Sequence, residues 1–263
     1  MNNLTCLYDM NSKVGGLYRV LVDVDLTIVD SLSPWVKWFN DGNLEAQASL
    51  PDGIVGPAKF QPITKQCYMN HAGDLAILMR ERAHPAWSHS YVSIGGKTHY
   101  MSNGRDPMDF WRQPDLYSRM QPLPGAVEFL NNLHDALLMK FEMVEFVAVT
   151  KCEPEHERSK RQFVYGKFPN IFNGFISTDE KHMVAGDVLI DDNPKYVDPC
   201  IWNNVFSIFV PQGNYEKLDL SDSENMIYVK PVEGRNHFDY LRENFTEVVD
   251  RLVAHYQFVR QGV

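Results

Sequence analysis

The segment LYRVLVDVD, residues 17 to 25, constrains the fold of this chain more than any other. Val20, Leu21 and Val22 are consecutive and apolar, so a strand built from them must be covered on both faces, as in a parallel sheet under helices. The run then ends on two carboxylates, Asp23 and Asp25. Charged groups left in a dry core are costly, so these acids belong at the rim of the sheet. The same event recurs in DVLIDD, residues 187 to 192, which ends on Asp191 and Asp192. VEFVAVT (144 to 150) ends on the hydroxyl of Thr150, VFSIFVP (205 to 211) is closed by a proline, and FNGFIST (172 to 178) reads as a further strand.

Helices fall between these strands. PGAVEFLNNLHDALLMK places Pro124 in a first turn and sets Val127, Leu130, Leu133, Leu137 and Leu138 near one stripe. Residues 155 to 166 read as a polar, exposed helix. Residues 238 to 258 read as one terminal helix that packs Leu241, Phe245, Val248, Val249, Leu252 and Tyr256 on the body. Residues 212 to 234 read as loop with a short strand at MIYVK. The alternation predicts an α/β fold, Rossmann-like, with a mainly parallel sheet between helices. The stretch from 34 to 120 breaks the rhythm, with a helical piece near 63 to 82 and YVSIGGKTHYM reading as a hairpin that turns at Gly95-Gly96. Structureless loops of that length are uncommon in compact domains. The expected organisation is therefore a core of residues 1–33 and 121–263 with a cap lobe, 34–120, inserted after the first strand.

Composition narrows the function classes. Thirty-four acids against 25 Lys and Arg give a net charge of −9, which disfavours a stable complex with long nucleic acid but leaves room for a small anionic substrate in a locally positive pocket. There is no run of 18 apolar residues and no basic-then-apolar start, so neither a membrane span nor a secretory signal is expected. Cys6, Cys67, Cys152 and Cys200 are scattered without a CxxC pair, as reduced thiols of a cytoplasmic protein would be. Oligomeric state stays open, a homodimer included.

In an open α/β sheet, ligands sit beyond the carboxyl ends of the strands. Two acid doublets at such ends would repel one another unless a cation is bound among them. All-oxygen ligands, with no His or Cys beside either doublet, favour Mg²⁺ over zinc. Asp23 and Asp25 lie two apart, so one can attack while the other passes a proton. Thr27 and Ser31 follow and serve equally well as turn and cap residues. Thr150 offers a hydroxyl and following N–H groups to an anion, although a strand-terminal Thr taken alone is usually structural. Lys181, ten residues before Asp191, would read as a surface lysine without such a site beside it.

LVDVDLTIVDS resembles the nucleophile motif of the haloacid-dehalogenase-like hydrolases, and DxDxT, Thr, Lys and a strand ending DD, in that order, is similar to that superfamily's catalytic set. Within it, QPLPGAVEFL (121 to 130), AVTKCEP (148 to 154) and DEKHMVAGDVLIDDNP (179 to 194) resemble the 5'(3')-deoxyribonucleotidase group. The resemblance covers roughly residues 17 to 39 and 119 to 211. It implies that Asp23 is the nucleophile and forms an aspartyl-phosphate. Asp25 would protonate the leaving oxygen and then activate water, and Thr150 and Lys181 would hold phosphate oxygens. Mg²⁺ would bind Asp23, the backbone carbonyl of Asp25 and the Asp191/Asp192 doublet, either of which can ligate directly. The implied substrate is a small phosphomonoester, a nucleoside monophosphate above all. Thr27, Trp35, Trp38, Phe110, Trp111 and Lys151 are the candidate substrate contacts, the aromatics as a wall for the base or as ordinary packing of lobe on core.

The chain departs from the nucleotidase pattern in two places. Leu26 and Thr27 stand where several nucleotidases carry Gly and Val, and Asp179 stands where they carry an Arg two residues before the motif lysine. An acid near the pocket opposes phosphate unless it points to solvent or pairs with Lys151 or Arg161. The rival readings are a polynucleotide 3'-phosphatase, which needs a basic groove, and a sugar-phosphate or other small-metabolite phosphatase. A non-enzymatic binding protein on the same fold is disfavoured, because decay would strike one of the catalytic positions.

Overall fold

The computed structural model describes residues 13–14, 16–48, 64, 91–94, 97–100, 107–211, 221–232 and 234–261. Its strands are β1 (Leu17–Val22), β2 (Tyr91–Ile94), β3 (Lys97–Tyr100), β4 (Met143–Thr150), β5 (Phe172–Ser177), β6 (Val188–Asp191), β7 (Phe206–Phe209) and β8 (Met226–Tyr228). Six of them form one sheet in the order β5-β4-β1-β6-β7-β8. Every neighbouring pair in it is parallel. The apolar run of β1 therefore lies in the middle, and Val20, Leu21 and Val22 are fully buried. From β1 the core chain builds outward to β4 and β5, then returns to the other side of β1 for β6, β7 and β8. That reversal opens a crevice at the carboxyl ends of β1, β4 and β6, the place where such sheets bind ligands.

Helices α1 (Leu32–Ala48), α2 (Ala126–Leu138), α3 (Glu157–Lys167), α4 (Pro194–Trp202), α5 (His237–Glu243) and α6 (Phe245–Gln261) accompany the sheet. Helix α2 buries Phe129, Leu130, Leu133 and Leu137, with Val127 and Leu138 at the margin of the stripe. Its start differs from the sequence expectation. Pro124 precedes the helix, because Gly125 takes a left-handed φ of 81° and the helix begins at Ala126. A β-carbon on Gly125 would also come within 3.2 Å of Phe238, a tight contact on top of a backbone conformation that favours glycine.

The terminal helix is two helices rather than one. Asn244 separates α5 from α6, its side-chain amide donating to the Tyr240 carbonyl at 2.9 Å, a local bond that competes with helix propagation. Asn236 and Asp239 close a capping box at the start of α5. Helix α3, expected as a polar, exposed helix, buries Ser159, Lys160, Phe163 and Val164 on one face. Helix α4 was not anticipated from the sequence.

Helix α1 runs across residue 34, where the lobe was expected to begin. The two strands of the expected hairpin pair antiparallel, with Tyr91 opposite Tyr100 and Ile94 opposite Lys97, while the turn at Gly95-Gly96 lies outside the described residues. The helical piece expected near 63–82 lies, apart from Thr64, outside the described residues. Among the described residues no helix is long and apolar enough to cross a membrane.

Candidate active site

The loop after β1 is shaped by backbone bonds. The Asp23 N–H donates to the Ile190 carbonyl at 2.9 Å, so the chain is still tied to β6 where the acids begin. It then turns back on itself, with Leu26 N–H to the Val29 carbonyl at 2.9 Å and Val29 N–H to the Val24 carbonyl at 3.1 Å. Leu26 has φ 59°, the left-handed region, which costs a residue with a β-carbon about 1 kcal/mol or more. This is one of the two places where the sequence departs from the nucleotidase pattern. The turn is held from outside by Leu123, whose N–H reaches the Ile28 carbonyl at 2.9 Å. It is also held by His237, whose Nε2 lies 2.8 Å from the Thr27 carbonyl. Burial pushes His237 down to about 4, so the neutral ring donates that bond at neutral pH.

Three carboxylates meet above β1 and β6. Asp23, Asp191 and Asp192 each offer an oxygen within 4.8 Å of the others. The side chains of Asp23 and Asp191 are almost wholly enclosed. Lys181, in a short 3₁₀ turn before β6, places Nζ 2.7 Å from Asp23 Oδ1 and 2.6 Å from Asp191 Oδ2. The Tyr196 ring covers the same ammonium at 4.2 Å. The Thr27 hydroxyl lies 3.3 Å from Asp23 Oδ2 and 3.5 Å from Asp192 Oδ1.

One ammonium does not balance three acids. Burial, with the Asp23 charge opposing Lys181, pushes Asp191 up to about 7. Burial and the charges of Asp191 and Asp23 push Asp192 well up. Against its own burial, Lys181 is held firmly protonated by Asp191 and Asp23. A site that strains toward taking up protons is one where a cation is welcome. The donors are oxygen alone, which suits a hard divalent ion of the Mg²⁺ class. The residues fit the expected metal.

The Asp25 side chain is elsewhere. Its Oδ2 receives Lys160 Nζ at 2.5 Å and its Oδ1 receives the Tyr117 hydroxyl at 2.6 Å. Burial raises this carboxyl, but the Lys160 ammonium and the donors Lys160, Tyr117 and Ser31 outweigh it and leave Asp25 lowered. Asp23 and Asp25, two residues apart, are thus held by different lysines. Thr150 stands at the end of β4, buried, its oxygen accepting from Lys160 at 2.7 Å, which leaves its own proton free to donate.

Lys160 and Tyr117 were missed by sequence reasoning. Lys160 is fully buried and also donates to the Lys151 carbonyl at 2.8 Å. A signal existed: Lys160, Phe163 and Val164 stand at i, i+3 and i+4, which puts the lysine on the apolar face. For Tyr117 there was none, because its meeting with Asp25 spans 92 residues.

The candidate substrate contacts are placed unevenly. Trp35 and Phe110 are buried in the core, Trp35 stacked on Phe39 at 5.5 Å and Phe110 edge-on to Trp111 at 5.0 Å. Trp38 and Trp111 keep part of their surface exposed. Lys151 is exposed and lies 3.5 Å from Asp179, which also meets Lys195 at 3.2 Å and accepts the Tyr196 hydroxyl. Chiefly through that hydroxyl, Asp179 is held below the usual carboxylate range. Asp179 is therefore neutralised by two lysines and a tyrosine, while Arg161 pairs with Glu157 at 2.9 Å instead.

The family described as "5' nucleotidase, deoxy (Pyrimidine), cytosolic type C protein" matches residues 99–205, a stretch that holds Tyr117, Thr150, Lys160, Lys181, Asp191 and Asp192 but not Asp23 or Asp25. A search of curated proteins finds no match. Among solved structures, the chain is similar to a haloacid dehalogenase-like family hydrolase from Xanthomonas campestris, at 13% identity and TM-score 0.45, over 90% of this chain and 98% of that one. It is similar to a phosphonoacetaldehyde hydrolase like protein from Oleispira antarctica, at 13% identity and TM-score 0.47, over 90% and 94% of the two chains. A third is CbbY from Rhodobacter sphaeroides in complex with phosphate, at 14% identity and TM-score 0.44, over 86% and 96%.

Proposed function

We propose that this chain, whose fold, motif order and acid cluster are those of the haloacid-dehalogenase-like hydrolases, is a Mg²⁺-dependent phosphomonoesterase acting through an aspartyl-phosphate on Asp23, with a nucleoside monophosphate as substrate. The observation that carries the reading is the division of labour between two carboxylates on one loop. Asp23 is gathered with Lys181, Asp191 and Asp192, while Asp25 stands apart on Lys160 and Tyr117 with 29% of its side chain exposed.

Asp23, Asp191 and Asp192 would hold the ion, which when bound supplies positive charge against the phosphate oxygens. Lys181 and the free Thr150 proton would take further phosphate oxygens, drawing off the charge that otherwise keeps a carboxylate from approaching phosphorus. Asp23 then attacks and the ester P–O bond breaks; Asp25, ionised in the free site, takes up a proton when the anionic phosphate arrives beside it and passes that proton to the leaving oxygen. In the second half Asp25 accepts a proton from water as that water attacks phosphorus. Inorganic phosphate leaves and Asp23 is regenerated.

The nucleotide preference is supported by the nucleotidase match over 99–205 and by the partly exposed Trp38 and Trp111. Burial of Trp35 and Phe110 favours a second reading, a small sugar phosphate with no base to stack. Kinetics on deoxynucleoside monophosphates, sugar phosphates and a 3'-phosphorylated oligonucleotide separate these, the first class being expected to lead. Asp23→Asn should lose at least ~10³-fold in turnover, and chelator should abolish activity. Near-normal turnover by the variant, or full activity in chelator, would refute the mechanism.

A further inference from the structure

We propose that the Tyr117 hydroxyl is a positioning group for Asp25, fixing the carboxyl that serves the leaving oxygen; this rests on the phosphomonoesterase reading above. Lys160 takes Oδ2 and Tyr117 takes Oδ1, so the carboxylate is held at both oxygens by donors from two different elements. Held so, its plane cannot turn. A carboxylate has about four lone-pair sites, so these two donors and Ser31 still leave room for the proton it must carry. Without Tyr117 the group keeps Lys160 and Ser31 but loses its donor on Oδ1, and small misplacements of an acting acid are costly in rate.

The tyrosine is itself immobile. It is buried, with its ring centroid 5.3 Å from that of His156, 5.9 Å from that of Phe163 and 5.2 Å from the Lys160 ammonium. His156 in turn bonds through Nδ1 to the Trp111 carbonyl. The segment from Trp111 to Tyr117, which leads the chain back to α2, is thereby anchored on α3 and brings one hydroxyl to the reacting acid. The ring alone would satisfy the packing. The hydroxyl, aimed at Asp25, is the part that packing does not require.

Tyr117→Phe removes only that oxygen. The measurement is kcat/KM on an alkyl phosphate, a nucleoside 5'-monophosphate, and on p-nitrophenyl phosphate, whose phenolate departs without protonation. Because kcat/KM reports the steps up to departure of the leaving group, it isolates the acid role. The variant should lose about tenfold or more on the alkyl ester, the scale of one hydrogen bond to a charged group, and less than about twofold on the aryl ester. An equal loss on both esters, or no loss on the alkyl ester, overturns the assignment. Wild-type protein that hydrolyses neither ester, or an Asp23→Asn variant as active as wild type, overturns the reading of the site and the assignment with it.

Discussion

Replacing His237 with Gln keeps a donor for the Thr27 carbonyl but removes a titrating ring from beneath the loop after β1. In the folded protein burial holds His237 down to about 4, against 6.5 for a free imidazole. The unfolded chain therefore takes up a proton near pH 6.5 that the native state refuses until about pH 4. The stability at stake is full above pH 6.5 and is lost as pH falls through that window. A pKa that differs by one between the folded and unfolded chain is worth about 1.36 kcal/mol, so the whole effect is about 3 kcal/mol. For a chain of this size that is roughly 6–12 °C of melting temperature. Thermal melts of both proteins in chelator at pH 7 and pH 4 test it. The acid cluster, His156 and His255 titrate alike in both and cancel in the comparison. Wild type should lose about 3 kcal/mol more than His237→Gln over that range. Parallel losses in the two proteins would refute the account of a buried neutral imidazole holding the loop.

Two further substitutions probe the frame and the site. A β-carbon at Gly186 would stand 2.6 and 2.7 Å from Cγ and Cδ1 of Leu21, inside the core of β1, so Gly186→Ala should cost ~1–3 kcal/mol in denaturant melts; an unchanged midpoint would mean that the strand yields. Lys160→Met keeps the side-chain bulk but strips Asp25 and Thr150 of their common donor, and kcat should fall at least ~10-fold with the fold retained by circular dichroism; near-wild-type turnover would remove Lys160 from the site.

The strands were legible because burial on two faces demands an unbroken apolar run, and Val20 to Val22 or Val188 to Ile190 can be read in no other way. The carboxylates that end those runs announced the site, and Asp23, Asp191 and Asp192 do converge. The division of the terminal helix was not legible, since its apolar stripe continues across Asn244 and only a side-chain bond marks the break. Helix α4 is nine residues with an internal Pro199, too short for periodicity to show, although Asn193 and Pro194 carry the signs of a helix start. Tyr117 reaches Asp25 across 92 residues and leaves no local trace, whereas Lys160, 135 residues away, shows in the sequence only as a lysine on the apolar face of α3. The aromatics illustrate the same limit. The residue order places rings just beyond the loop after β1, but only the packing distinguishes a buried Trp35 from a partly exposed Trp38.

The central position of β1 also governs how the molecule can come into being. On the ribosome this strand emerges before either of its neighbours, and its residue Arg19 finds its partners Glu145 and Asp187 only 126 and 168 residues later. Closing loops of that span is entropically expensive, and parallel pairing across them is slow. Until then an apolar strand has neither neighbour, and such exposed apolar surface is prone to aggregate. Because Asp23 follows directly on that strand, and Asp191 and Asp192 lie at the end of β6, the three acids come together only when those distant contacts close. Returning activity during refolding would therefore trail the return of helical signal.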